Sequence, residues 1–483
     1  MRSDDIGGIL QSPESRIVIS PIDLERVNST SIRKTTTGTI LLTSTLMVLF
    51  FSSIFTQAYA ANWYVRPSGG SGTGTSWTAA WNGFGAINWG SVSCGDTIWV
   101  AGGNYSQDLI LQKKCTSGTR LNIRRARSDS AECTGAAGWS SGFASTVRQV
   151  ATSIQVMGDV DYVTVSGRTT ANGGGHGWHL DFSGTTGGQG IYFANGADGD
   201  YNTFENMDIQ GPGNVTYTQD GRGLDITPFA SPNQCTGNTF SHLKIWNWES
   251  GIYNVWADGS IYEYIDMYDM NAVNWQSYHP NGIYIASSSG GIVRYSRFHR
   301  GPAGYSVGEG IFFEQAGGCS NWKIYGNVFY DIDQSHWKSI QITSSVSDLL
   351  IYNNTFHNSM NTVYVNAGSC TGSSATKNNL FYNSSSGSCG TTSSNLSTSS
   401  TVFVNASAHD YHIVSTTGSA YPRNAGTNLS AYFSTDPDGV GFGGDGSWDI
   451  GAYEYNSGSG SLPPPPPPPP SLIPTPPGGL QIN

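Results

Sequence analysis

The chain has 483 residues, with 23 Lys and Arg against 34 Asp and Glu and a formal net charge of −11 at neutral pH. Charged residues make up 12% of it and aromatic residues another 12%. That weak, acidic balance excludes a nucleic-acid binder, which needs a basic face, whereas a surface rich in Tyr, Trp, Asn, Ser and Gly suits neutral or mildly charged sugars.

Residues 1–26 are charged and unlike a leader, which places the expected start of synthesis near Val27. Residues 39–56 form an apolar run broken by Ser and Thr, preceded by Arg33 and Lys34 and followed by Ala58, Tyr59 and Ala60. This order of basic, apolar and small-x-small segments predicts a secretory signal cleaved after Ala60. The alternative is an uncleaved anchor helix, for which the run is barely long enough. Either way the body is expected outside the cytoplasm, secreted or at the cell surface, and residues 1–60 form an extension plus signal peptide.

Residues 61–150 read as an entry or capping region, with WYVRPSGGSGTGTSW from Trp63 and GDTIWVAGGNY from Gly95. From 151 to 400 the chain returns to one short pattern, an aliphatic-x-apolar triplet usually preceded by glycine. The copies are GIYF from Gly190, GLDI from Gly223, GIYN from Gly251, GIYI from Gly282, GIFF from Gly310, SIQI from Ser339 and TVYV from Thr362. Their aliphatic residues, Ile191, Leu224, Ile252, Ile283, Ile311, Ile340 and Val363, step by 33, 28, 31, 28, 29 and 23 residues, a solenoid period. A second pattern keeps step: Phe204/Ile209, Phe240/Ile245, Tyr262/Met267, Val293/Phe298, Ile324/Phe329 and Ile351/Phe356, each pair spanning a polar bend that often carries Asn. Each turn therefore holds at least two short strands. One such unit cannot bury its own apolar face; stacked units share a core.

Residues 401–456 form a closing segment. Residues 457–483 run from Gly/Ser through eight prolines, Pro463 to Pro470, into SLIPTPPGGLQIN, a flexible joint and semi-rigid spacer expected to be disordered and suited to surface attachment. PTPPGGLQI resembles the entry to a fibronectin-type-III-like module, so a further domain is an expectation here. Of the seven cysteines, Cys370 and Cys389 flank a single turn and are the expected pair; two of Cys94, Cys115 and Cys133 would staple the entry region. The odd count leaves at least one unpaired, and none has metal-site spacing.

The NNTF-like bends (Asn353 to Phe356), the GI-led strands and the ending DYHIVSTTGSAYPRNAG from Asp410 with WDIGAYEY from Trp448 resemble the right-handed parallel β-helix superfamily, the pectate-lyase-like fold, over residues 62–456. The resemblance implies an all-β, single-stranded right-handed parallel β-helix solenoid with capping segments. The capping segments fit a monomer, since they would block end-to-end stacking. Fold alone does not supply function, because this architecture hosts lyases, hydrolases and adhesins.

Strand side chains alternate, so the triplets project an outward column of Tyr192, Asp225, Tyr253, Tyr284, Phe312, Gln341 and Tyr364. The rings Tyr253, Tyr284, Phe312 and Tyr364 are candidate sugar-stacking residues; the alternative is that they only stabilise the face. A second column, Gln189, Arg222, Ser250, Asn281, Glu309, Lys338 and Asn361, collects charge, with His279 close by in HPNGIYI. In polygalacturonase-like relatives a carboxylate stands before the Gly-Ile of such a strand, and here Asn281 occupies that position. Column residues three turns apart lie roughly 14 Å apart, whereas glycosidases set two carboxyl groups about 5–9.5 Å apart. Glu309 and Asp225 are then too distant, which leaves Glu314, Asp331 or Asp333 as partners. A lyase needs a base and groups that neutralise a uronate carboxylate. Lys338 or His279 is the expected base, Asn281 and Arg222 the carboxylate binders, and Tyr284 a proton donor or stacking ring; Glu309 would serve a hydrolase. The alternative is a Glu309–Lys338 surface ion pair of little energetic weight. No cofactor is demanded. Calcium is the one the acidic run Asp436, Asp438, Asp445 and Asp449 would accept, although a solvated capping loop explains that run better.

The composite expectation is an extracellular polysaccharide-active β-helix protein, a lyase on uronate-containing glycans ahead of a hydrolase. The alternative is a non-catalytic surface protein that binds glycan or mediates adhesion.

Overall fold

The computed structural model describes residues 60–456 except 195, 214–220, 229–234, 271–279, 306, 315–317, 333–336 and 367–368. The expected signal segment and the proline-rich tail lie outside the described residues, as do His279 and Asp333.

A three-residue apolar triplet can bury its face only against its own next copy, and that is how the chain pairs. Leu109–Leu111, Ile154–Val156, Gly188–Phe193, Gly221–Ile226, Ser250–Val255, Asn281–Ala286, Glu309–Phe313, Ile340–Ile342 and Val363–Val365 form one parallel nine-stranded sheet. Its register sets Ile191 beside Leu224, Ile252, Ile283, Ile311, Ile340 and Val363 in turn, the alignment expected from the repeat. All seven are buried. The preceding glycine is required by the close stacking: a Cβ on Gly282 would fall 2.4 Å from the Gly310 carbonyl oxygen.

The second pattern builds a 22-stranded sheet that supplies two further strands to most turns, so a turn typically holds three strands. Phe298, Phe329, Phe356 and Phe381 stack along the interior with centroids 4.9, 5.0 and 5.1 Å apart. Parallel pairing begins at Asn62–Arg66, so the entry region already contributes strands to the coil. With connections of the hand that parallel strands take, the chain winds into a right-handed parallel β-helix. Among the described residues the helical content is the four-residue helix Ala131–Thr134 and three 3-10 turns.

The bend between the paired strands repeats one conformation. His242, Tyr264, Tyr295, Asn353 and Asn378 take left-handed φ values of 53, 53, 56, 47 and 55°, and Gly326 takes 65° in the same column. Next to them runs a buried amide ladder. The Asn354 backbone N–H and Nδ2 both donate to Asn379 Oδ1, and Asn327 donates to Asn354 Oδ1 in the same way. Each Nδ2 also donates to carbonyls of its own and the preceding turn, as Asn354 does to Tyr352 and Ile324. A corner that would otherwise bury unpaired backbone groups is thereby satisfied turn by turn.

The closing segment docks on the flank of the last turns. Leu429, Phe433 and Trp448 pack on Tyr325, Leu350 and Tyr352, while Tyr411, Ile450 and Tyr453 pack with Val328, Tyr330 and Leu380. Asn353 Nδ2 donates to the Asp449 and Gly451 carbonyls. Disulfides join Cys94 to Cys115 and Cys370 to Cys389, each with Cα atoms 5.5 Å apart. Cys133, Cys235 and Cys319 are free and buried, and burial raises the pKa of each thiol, which makes them poor nucleophiles.

Replacing Asn354 with Ala leaves the buried Asn327 backbone N–H without its acceptor, while Asn327 Nδ2 keeps the Val293 and Tyr325 carbonyls, and is expected to cost roughly 1–3 kcal/mol. A denaturant midpoint indistinguishable from wild type would show that the ladder carries no such weight.

Candidate active site

The charged column forms as expected. The register places Gln189, Arg222, Ser250, Asn281 and Glu309 side by side. Lys338 and Asn361 continue it, because Gly310 N donates to the Lys338 carbonyl and Ser339 N to that of Asn361. The neighbouring column of Tyr192, Asp225, Tyr253, Tyr284, Phe312, Gln341 and Tyr364 is also in register.

The structure divides the site residues into two groups. At one end Arg222 is already engaged: its Nη1 lies 3.0 Å from Asp225 Oδ2 and its guanidinium carbon 3.8 Å from the Tyr253 ring centroid. Four strand steps, about 19 Å, separate it from Lys338. Arg222, expected with Asn281 to bind the carboxylate of the sugar on which Lys338 acts, therefore lies too far from Lys338 to serve the same sugar unit, and that expectation is corrected. At the other end Glu309 is buried and Lys338 half-buried. Burial lowers the Lys338 pKa and the nearby Glu309 carboxylate partly restores it. Lys338 Nζ sits 5.2 Å from the Tyr364 ring centroid. Between the two groups Asn281 is buried, and its Oδ1 has no hydrogen-bond partner among the described residues.

The expected open platform of rings is also corrected. Tyr284 is 5% and Phe312 3% exposed, whereas Tyr364 is 39% exposed. Tyr284 stacks on Tyr253 at 4.3 Å and meets Phe312 edge-on at 5.8 Å, so its faces contact neighbouring rings. Burial first, then Tyr253 and Glu314, push its pKa far up, so its hydroxyl stays protonated and is a weaker acid than an ordinary tyrosine. Tyr364, and Tyr253 in part, remain open to a sugar.

The acidic run near the C-terminus is solvated only in part: Asp436 and Asp449 are buried, whereas Asp438 and Asp445 are exposed. Asp436 accepts from Asp438, Val440 and Glu454 backbone N–H groups, and Asp438 bonds to His412 Nε2. Asp445, Asp449 and Glu454 bring one oxygen each within 4.8 Å of one another. Yet Asp449 accepts from Asn424 and Tyr455 N–H groups, Glu454 from Gly443 and Asp449, and Asp445 pairs with Arg423. Their lone pairs are spent on shaping the loop, a poorer fit to calcium than open oxygens would be.

Two features escaped the sequence reading. One is the run Asp208, Lys244, Asp266 and Arg297, side by side on the outside of the large sheet. The other is a cleft lined by Arg124, Arg125, Arg127, Arg168 and Glu205. The sequence signal for the second was RLNIRRAR from Arg120, an arginine cluster in a chain poor in charge.

No protein-family model matches the chain, and no curated protein matches it by sequence. Solved structures do match. The fold is that of the pectate-lyase-like β-helix class. Pectate lyase Pel9A superposes with a TM-score of 0.50 at 16% identity, over 84% of this chain and 99% of that one. A rhamnogalacturonan lyase matches at TM-score 0.45 and 10% identity, over 72% and 91% of the two chains.

Burial raises the Glu454 carboxyl from its ordinary 4.5 to about 8, and Asp436 and Asp449 to about 6. An acid with a raised folded pKa binds more protons folded than unfolded between those values, so its contribution is full below about 4.5 and lost as pH climbs toward 8. Calorimetry in chelator is expected to show Tm falling across that window, with a flatter profile for Glu454→Gln. Identical slopes in both proteins would remove Glu454 as the cause, and a calcium-dependent rise in Tm would reassign the cluster as a cation site.

Proposed function

We propose that this protein is an exported enzyme that cleaves uronate-containing polysaccharide by β-elimination, with Lys338 as the base. The observation that carries the reading is the half-buried Lys338, its pKa lowered by burial, beside Glu309 and the exposed Tyr364. A desolvated lysine holds more neutral amine at mild pH, the form able to take a proton. In the step, Lys338 Nζ takes the proton on the carbon beside the sugar carboxylate, the C–H pair becomes a C=C bond, and the glycosidic C–O bond breaks. The departing oxygen takes its proton from water. Tyr364 offers a ring for the sugar, whereas Asn281, two strands along and expected to bind the carboxylate, is buried and does not present its amide oxygen to it. Pel9A, whose fold the chain shares, is a pectate lyase, which agrees with the reading.

Hydrolysis is less well served by this face. Glu309 is the only acid of its column, and Asp225 lies three strand steps away, about 14 Å. That is beyond the separation of glycosidase carboxyl pairs, about 5–9.5 Å. Asn281 in an acid's place favours a second reading, glycan binding at the cell surface without turnover. Export is supported by the two disulfides, which persist in oxidising compartments.

Ultraviolet absorbance of unsaturated uronate product is expected on pectic or alginate substrates, lost about 10²–10⁴-fold in Lys338→Ala. Activity should rise with pH as Lys338 loses its proton, and Glu309→Gln should move that limb to lower pH by removing the charge that holds the proton. New reducing ends without unsaturated product would point instead to hydrolysis through Glu309, and saturable binding without either product to the second reading. N-terminal sequencing of exported protein is expected to begin at Ala61; a start upstream of the apolar run would mean the segment is retained.

A further inference from the structure

The large sheet carries, away from the Lys338 column, a cleft of about 310 Å³ lined mainly by guanidinium groups. Arg124 and Arg125 end the strand Leu121–Arg125, Arg127 follows it, Arg168 begins the strand Arg168–Thr170, and Glu205 stands two strands from Arg124. In a chain with 23 basic residues among 483, four arginines meeting in one cleft is a concentration of charge that local structure does not require.

The acids present account for only part of that charge. Arg168 pairs with Glu205 at 2.8 Å and Arg127 with Asp129 at 3.2 Å. Arg124 and Arg125 are held by neutral groups: Arg124 Nη2 donates to Asn122 Oδ1 at 2.9 Å, and Arg125 Nε and Nη2 donate to the Ser145 and Ala144 carbonyls. Glu132, the next acid, is held by the Ser130 hydroxyl. Arg125 is 7% exposed, and its Nη1 has no hydrogen-bond partner among the described residues; nor has Arg168 Nε. Gly177 makes the seat, since a Cβ there would lie 2.3 Å from Arg125 Cδ. Burial, then the Arg127 charge, lower the pKa of both Arg124 and Arg125, so these cations are desolvated and repel a neighbour of like sign. Buried cations with unused donors are stabilised by an incoming anion.

We propose that this cleft is an anion-binding subsite that takes the carboxylate of an acidic sugar, separate from the Lys338 column. A planar carboxylate matches the guanidinium fork of the half-buried Arg124, with the buried Arg125 charge behind it. The volume sits at the small end of ligand pockets, enough for a saccharide unit rather than a long chain. The argument rests on the guanidinium groups and holds whether or not the Lys338 face is catalytic.

The test is calorimetric titration of the full chain with a galacturonate trisaccharide at low salt, in a Lys338→Ala background so that turnover cannot consume the probe. A neutral galactose trisaccharide and sodium sulfate run in parallel. The expected result is binding of the acidic probe alone among the sugars, weakened roughly tenfold or more by Arg124→Gln and several-fold by Arg124→Lys, which keeps the charge but loses the fork. Far-UV circular dichroism confirms that each variant folds. Unchanged affinity in the folded Arg124→Gln variant overturns the assignment, and so does equal binding of the neutral sugar. Sulfate displacing the trisaccharide at equal concentration overturns the carboxylate assignment in favour of a general anion site. Product formation by the Arg124→Gln chain with Lys338 intact reports on the lyase reading separately, so the two can fail independently.

Discussion

The constraint on which this molecule depends is that parallel strands of successive turns stack about 4.8 Å apart with like position over like position. Each residue of a turn is thereby placed beside its counterpart in the next. Ile191, Leu224, Ile252 and Ile283 become one apolar column because the backbone ladder forces them to. The same ladder lets Asn354 reach Asn327 and Asn379 with identical geometry. It also fixes chemistry: side chains on one column are separated by whole strand steps, so Arg222 and Lys338 are held apart however their rotamers turn.

That geometry explains what could be read from the sequence. Alternation and a recurring Gly-Ile are properties of the strands, so the register from Ile191 to Val363 and the membership of the two side-chain columns follow from spacing alone. So does the pairing of Cys370 with Cys389, which flank one turn. Exposure is different. Whether Tyr284 faces a sugar or a neighbouring ring depends on how adjacent rings settle, and whether Arg222 is available depends on Asp225 three residues on. Neither has a period. The closing segment was recognisable as an ending by resemblance, but its docking on the flank at Asn353 depends on contacts far apart in sequence.

Exposed faces of the coil are used differently along its length. On the large sheet the C-terminal turns are covered by Phe433, Trp448 and Tyr453, while the earlier turns leave the arginine cleft uncovered. The nine-stranded sheet likewise passes from the Arg222–Asp225–Tyr253 group, which satisfies itself, to the Lys338 and Tyr364 end, which presents an amine and a ring outward.

The docked closing segment also changes how the coil can come apart. A solenoid held only by neighbouring turns frays from its ends one repeat at a time. Here Tyr295 donates to the Thr435 carbonyl 140 residues away, and Arg297 reaches Tyr453 across 156 residues. The terminal turns cannot peel off while these clasps hold, so loss of the last repeats is coupled to release of a segment anchored several turns earlier. Stepwise fraying becomes a cooperative event with a barrier, so the last repeats persist by the slowness of their release as well as by their equilibrium stability.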